Sequence, residues 1–372
     1  MASQSRRPPD STPFCTGPQE GGQKACSRPR PGLCCQHPMS TSRIIRAAII
    51  GCGSYGAEHA KFLSTYPGVK LAAVADIAAP RAEEFKQKYG AGYATGDVAQ
   101  IWADKDIDAV WICTQHHTHA PLAEAAATAG KHFFLEKPLA LTLADCNRIV
   151  TAVERTGVIA ASGYKLRFFP AVVAAKAFLS KPTLTIAQVI DDHWPSDFWA
   201  NDPIQGGGNV LSQGCHMVDT VLHLHPTPPV RVYAAGGNRH HPTREIVDTA
   251  AITLTFADGA VANIAVGDCG VPPHSSKFAL QQSDGARSFS LYNRLNSLMT
   301  REDKKITESP AHPEEGAAVI DAPFIASVAE GKPSPVSVQS ARRTSAVVLA
   351  AIESIRTGQA IDLTAAPYGA AM

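Results

Sequence analysis

The segment GGGNVLSQGCHMVD, Gly206 to Asp219, sets Ser212, His216 and Asp219 behind three consecutive glycines. An imidazole titrates near neutral pH, so His216 is either a group that moves a proton or a packed helix histidine. The segment alone leaves both readings open. A second chemical grouping is Glu136-Lys137-Pro138, which closes the apolar run KHFFLEKPL. The proline places Lys137 at a strand end rather than inside a regular element. A third is Gly51-Cys52-Gly53-Ser54-Tyr55-Gly56. In such a loop one glycine makes the turn, one lets the backbone approach a pyrophosphate, and one packs helix on strand.

Context strengthens the third grouping. An apolar run, Ile44 to Ile50, precedes the loop, and Ala57 to Leu63 reads as helix after it. A second strand, VKLAAVAD, ends in Asp76, twenty residues past Gly56, where an acid accepts the ribose hydroxyls of a dinucleotide. A carboxylate there repels a 2′-phosphate and Ile77 offers no donor to one, so NAD is expected in preference to NADP. Arg81 is the residue that could reach a 2′-phosphate. Cys113, His116, His117 and His119 lie close together in CTQHHTH, but no second cluster has zinc-like spacing. We expect no metal, and read the stretch as a polar loop beside the cofactor. Cys52 reads as a small residue filling a tight turn, with a reactive thiol as the other reading.

These groups need elements to hold them. IDAVWICT, THAPLAEAAATAG and KHFFLEKPL continue the strand–helix alternation, which implies a doubly wound parallel sheet. Ligands of such sheets sit beyond the carboxyl ends of the strands, where Gly53, Asp76, Thr114 and Lys137 all fall. The pattern then changes. TLTIAQVIDDHW is β-rich, and two hairpin signatures turn at Asp258-Gly259 and Asp284-Gly285. This predicts a second, α+β domain with a large, open and mostly antiparallel sheet. DAPFIASVAEG and SARRTSAVVLAAIESIRTG read as closing amphipathic helices. We divide the chain into an extension over 1–42, a dinucleotide-binding Rossmann domain over 43–165, and a substrate and oligomerisation domain over 166–372.

Composition narrows the partners. The chain has 372 residues, 45% hydrophobic and 18% charged, with a net charge of +1. That is ordinary for a two-domain globular protein and gives no basis for a nucleic-acid or membrane partner. Five of the nine cysteines are scattered singly through apparent core elements, which suits a reducing, cytoplasmic compartment. Residues 1–38 stand apart, with seven prolines, four cysteines and a net charge of +3, leaving the remainder at −2. We expect a disordered extension there, with Met39 as the effective start of the folded protein.

The combination of GCGSYG, Asp76, FLEKPLA, GYKLRFFP and GGGNVLSQGCHMVD resembles the glucose–fructose oxidoreductase / inositol dehydrogenase (Gfo/Idh/MocA) superfamily. The likeness runs over about residues 43–363. It implies a Rossmann domain followed by an α+β domain whose open sheet joins homodimers or homotetramers. It also implies NAD(P)-dependent chemistry at a hydroxyl or carbonyl of a sugar, inositol or related polyol, without a metal. By position, Lys137 matches the family's active-site lysine, His216 its catalytic histidine, and Glu136 lies beside the cofactor. Gly51, Gly53, Ser54, Tyr55, Gly56, Asp76, Ile77, Arg81, Thr114, His116 and His119 complete the expected cofactor contacts. Ser212 stands where many members have aspartate, and Gln115-His116 where many have Pro-Asn. Positions 212 and 216 are four apart, so on one helix they face the same side. Tyr164, Arg167, His193, Trp194 and Asp219 join Ser212 as substrate candidates. Two other functions stay open: an NAD-dependent glycosidase acting through transient oxidation, and a non-catalytic dinucleotide-binding sensor.

Overall fold

The structure, a computed structural model, describes residues 44–270, 277–312, 316 and 319–372. The expected 1–42 extension lies outside the described residues. The first half alternates strands and helices. It runs β1 (Ile45–Ile50), α1 (Ser54–Leu63), β2 (Val69–Ala75), α2 (Ala79–Tyr89), β3 (Tyr93–Thr95) and α3 (Ala99–Ala103). It continues β4 (Ala109–Ile112), α4 (His119–Thr128), β5 (His132–Leu135), α5 (Leu143–Thr156) and β6 (Ala160–Ser162). The six strands form a parallel sheet in the order β3-β2-β1-β4-β5-β6. Its central strands are apolar on both faces, as helices on each side require, and β4 is buried throughout. The order reverses between β1 and β4, and the crevice beyond their carboxyl ends is the ligand position of this architecture.

The second half begins with α6 (Pro170–Phe178), β7 (Leu184–Asp192), α7 (Asn209–Ser212), α8 (Gly214–Leu224), β8 (Pro229–Gly237), β9 (Thr249–Phe256) and β10 (Val261–Gly270). Then come β11 (Phe278–Ser283), β12 (Arg287–Tyr292), β13 (Ser297–Glu302), β14 (Lys305–Glu308), α9 (Asp321–Glu330), α10 (Val338–Thr357) and β15 (Ile361–Asp362). Nine strands make one sheet, β14-β13-β12-β11-β7-β10-β9-β8-β15, antiparallel except between β7 and β10. Strict alternation along β7 and β9 buries one face, β7 under α8 and β9 under α7. The opposite face exposes Ile186, Tyr233 and Val261. The architecture expected from the sequence is therefore present.

One grouping differs from the sequence reading. The expected 166–372 domain includes α9 because of its chain position, yet α9 packs on the first sheet. Its Phe324 meets Trp111 of β4 edge-on at 5.3 Å, and its Asp321 accepts the Trp111 indole N–H at 2.9 Å. The segment entering α10 also hydrogen-bonds β6, through Ser162 N–H to Val336 O at 3.0 Å. Apolar periodicity shows that a helix has a face to bury but not which sheet covers it.

Candidate active site

The glycine loop leaves β1 and opens α1. Gly51 has φ +98°, and a Cβ there would lie 2.5 Å from the Cys113 carbonyl oxygen. A Cβ on Gly56 would lie 2.1 Å from the Gly51 oxygen. The fold itself therefore requires both glycines. Gly53 is different, because among the described residues no atom lies within 4 Å of where its Cβ would be. It faces open space at the start of α1, ahead of the first helical bond, Ala57 N–H to Gly53 O at 2.9 Å. Ser54 and Tyr55 begin that helix, so unpaired first-turn N–H groups face the approach a pyrophosphate needs. Asp76 extends from β2, its carboxylate taking N–H bonds from Cys52 and Ala78, both at 2.8 Å. Arg81 reaches to 3.8 Å from Asp76, and Ile77 is fully exposed beside it. Burial, then the Asp76 charge, pushes the Cys52 thiol up to about 12, so it stays protonated and unreactive. These residues fit a dinucleotide.

Glu136 and Lys137 follow β5 and are buried. Glu136 accepts the Lys137 backbone N–H at 3.1 Å and faces His59 Nε2 at 3.1 Å. On its other side the His59 ring meets the Asp321 carboxylate at 2.8 Å. Burial opposes a charged His59, but the two carboxylates outweigh it and raise its pKa to about 10. Burial likewise works against the Glu136 carboxylate, and the bond from His59 reverses the balance and lowers its pKa. Asp321, His59, Glu136 and Lys137 thus form a buried row of alternating charge. Lys137 itself stays an ammonium: burial disfavours it, while Tyr55, Cys215 and Glu136 hold its pKa above the usual value. Its Nζ lies 5.5 Å from the centre of the Tyr55 ring and donates to Ser212 O at 3.0 Å.

That last bond corrects a sequence expectation. Ser212 and His216 do not share one helix: α7 ends at Ser212, Gln213 interrupts, and α8 begins at Gly214. His216 N–H bonds Gln213 O at 3.0 Å instead of reaching back to Ser212. The break leaves the Ser212 carbonyl free to receive Lys137, so this position acts through its backbone. His216 is buried, with Tyr164 edge-on to its ring at 6.2 Å and Phe278 at 5.9 Å. Among the described residues its Nδ1 has no hydrogen-bond partner. Burial, with the nearby ammonium groups of Lys137, Lys165 and Lys277, holds its pKa well below the usual value. The ring is therefore neutral. It lines a cleft with Tyr55, Lys165, Gln213, Lys277 and Phe278.

The remaining candidates divide. Thr114 accepts the Thr118 hydroxyl at 2.6 Å beyond β4. His116 bonds Gly206 O at 2.8 Å and packs edge-on against Trp199, joining the polar loop to the glycine run of the second half. His119 lies between Pro138 O at 2.9 Å and Thr114 O at 3.2 Å, tying two strand ends together. Arg167 and Asp219 are committed to each other through Nε–Oδ2 at 2.8 Å, and Thr344 also donates to Asp219. That pair anchors α8 to α10 and does not face the cleft lining. Trp194 is held by Asp268 and Asp191, while His193 stacks on His241 at 5.1 Å. His193, His241 and Asp268 bring ligating atoms within 4.8 Å of one another, the one such group among the described residues. It is distinct from the Cys113–His119 stretch. The His241–Asp268 contact, at 2.6 Å, satisfies that pair as a hydrogen bond. A larger hollow of about 570 Å³ opens beside Ile45 and His132, at the amino ends of the first sheet's strands.

Sequence reasoning missed His59, Asp321, Lys277 and Gln213. His59 stands three residues past Gly56, one turn along α1, and that spacing was visible. Its carboxylate partner lies 262 residues away and was not.

Comparison with known proteins places the fold in a family. Residues 45–164 match the oxidoreductase family with an NAD-binding Rossmann fold, and residues 182–286 match the C-terminal domain of the same Gfo/Idh/MocA family. The chain belongs to this family. A myo-inositol 2-dehydrogenase of Thermotoga maritima is 30% identical over 59% of this chain and 67% of its own length. A 4-carboxy-2-hydroxymuconate-6-semialdehyde dehydrogenase of a Sphingobium strain is 26% identical over 77% of this chain and 91% of its own. The fold is shared with a levoglucosan dehydrogenase solved with NADH, at a TM-score of 0.78 and 21% identity, covering 86% of this chain and 98% of that one. The protein is accordingly an NAD(P)-dependent dehydrogenase.

Proposed function

We propose that the protein moves a hydride between nicotinamide and a carbinol carbon of a sugar- or polyol-type substrate, with His216 as acid/base and Lys137 polarising the reacting oxygen. Bound NAD supplies the hydride acceptor. In the oxidative direction the C–H electron pair leaves with the hydrogen, the O–H proton passes to His216, and a carbonyl forms. The observation that carries this reading is a neutral, buried imidazole whose Nδ1 has no partner among the described residues, close to a buried ammonium. A neutral ring can take the proton, and the ammonium stabilises the oxygen as it gains negative charge. The relatives' names span a neutral cyclitol and a carboxylated semialdehyde, so the substrate must be argued from the cleft.

The test is net NADH formation on a polyol and sugar panel. Lys137→Met and His216→Gln should each lower kcat at least about a hundredfold while NAD binding, followed by fluorescence, survives. Normal turnover by His216→Gln would overturn the proton-transfer role.

A further inference from the structure

The cleft beside His216 carries more positive charge than hydride transfer needs. Lys165, Lys277 and Arg294 line it, and no Asp or Glu is among the described residues that do. Lys137 lies just behind, and Ser212, where the family resemblance anticipates an aspartate, contributes no charge. Of the acids nearby, Asp191 directly offsets one of these cations, Lys277, so the excess rests first on Lys165. Glu136 faces His59, and Asp191 pairs with Lys277 at 2.8 Å while accepting the Trp194 indole. Glu58 acts on Lys165 from a distance and has a partner of its own.

Lys165 is the informative member. It is half-buried, and among the described residues its ammonium makes no ion pair; its contact is the Tyr55 ring at 5.9 Å. Burial lowers its pKa, and Lys137 and Lys277 add repulsion that Glu136 and Glu58 only partly offset. Arg294 is presented by a left-handed stretch, with φ +49°, +57° and +66° at Asn293, Arg294 and Leu295. Three successive non-glycine residues in that region are costly, and such strain gathers at ligand sites. Like charges gathered in a partly desolvated cleft repel one another, and a bound anion relieves that repulsion.

We infer that the substrate carries a carboxylate, making it a sugar acid or polyhydroxy acid rather than a neutral polyol. Lys165, Lys277 and Arg294 receive the anion while Lys137 and His216 address the reacting hydroxyl. This rests on the proposed function only for the reacting end.

The experiment uses the full-length protein with gluconate against glucitol, galactonate against galactitol, and glucuronate against glucose. Turnover with NAD is measured alongside calorimetric binding to the NADH-loaded protein, which needs no turnover. Acids should be preferred at least about tenfold in kcat/KM and in affinity. Lys277→Met and Lys165→Met should each reduce the acid-to-neutral ratio at least about fivefold, leaving NAD affinity unchanged. Using the ratio removes any general loss of folded protein. Equal or better handling of the neutral members, or ratios unmoved by both variants, would overturn the inference and leave the hydride-transfer reading intact. Weaker NAD binding by Lys165→Met would also overturn it, because the ammonium would then serve a cofactor phosphate. Acids that bind in a lysine-dependent way without turnover would uphold the inference and sink the catalytic reading; no acid binding at all would sink the inference.

Discussion

Asp76 and Lys137 are both charged residues at strand ends, and their surroundings give them different tasks. The Asp76 carboxylate takes two backbone N–H bonds, which fixes its orientation while leaving lone pairs free for ribose hydroxyls. A negative group held in this way rejects a 2′-phosphate. Asp76→Ala should therefore weaken NAD at least about tenfold and raise the NADP-to-NAD ratio of kcat/KM. A ratio unchanged from wild type would show that discrimination lies elsewhere. Lys137 is positioned by a carbonyl and a ring rather than by a carboxylate at its ammonium. The motif makes this lysine conspicuous, but the Ser212 carbonyl that receives it exists only because Gln213 breaks the helix. Residue types name donors and acceptors; the local backbone decides which of them are left over.

At the scale of the element, the β1–α1 turn separates glycines the fold needs from one it does not, Gly53, which is proposed to serve the pyrophosphate. A methyl group at Gly56 collides with the Gly51 carbonyl, whereas one at Gly53 meets nothing among the described residues. Gly53 also has φ −87°, which any residue tolerates. Gly53→Ala should thus melt within about a degree of wild type yet bind NAD far more weakly. Gly56→Ala should lose about 2 kcal/mol or more of stability. Thermal melts with and without NAD check both, and a Gly53→Ala protein that binds NAD normally would remove the pyrophosphate from this turn. The turn was legible in advance because its glycine spacing, flanking strand and following helix are all local. The hairpins at Gly259 and Gly285 were legible for the same reason. The α7–α8 break was not, since Ser212 to Asp219 reads as one continuous helical pattern.

Across the whole molecule, a buried row of charge joins Asp321 of a C-terminal helix to Lys137 at the end of β5. His59 at its centre has a folded pKa near 10, above the ordinary 6.5. Its stabilisation is complete below about pH 6.5, declines above that, and is gone once pH passes about 10. Replacing it leaves two buried carboxylates without their shared cation. His59→Gln should therefore cost about 3–5 kcal/mol at pH 6, and the deficit should shrink as pH rises towards 10.5. Denaturant unfolding across that range checks it, and a deficit independent of pH would mean that His59 is neutral in the fold.

The sequence by itself determined the two-sheet architecture, the dinucleotide turn and the chemical identity of Lys137 and His216. Those depend on periodicity, turn chemistry and spacing within a few dozen residues. Only the tertiary structure decided which charges offset one another: Arg167 with Asp219, His59 with Asp321, and Lys165 with no ion-pair partner among the described residues. Pairing across fifty to more than two hundred residues depends on how helices and sheets stack, and burial then sets the strength of each pairing. A chain read in one dimension holds neither distance nor dielectric.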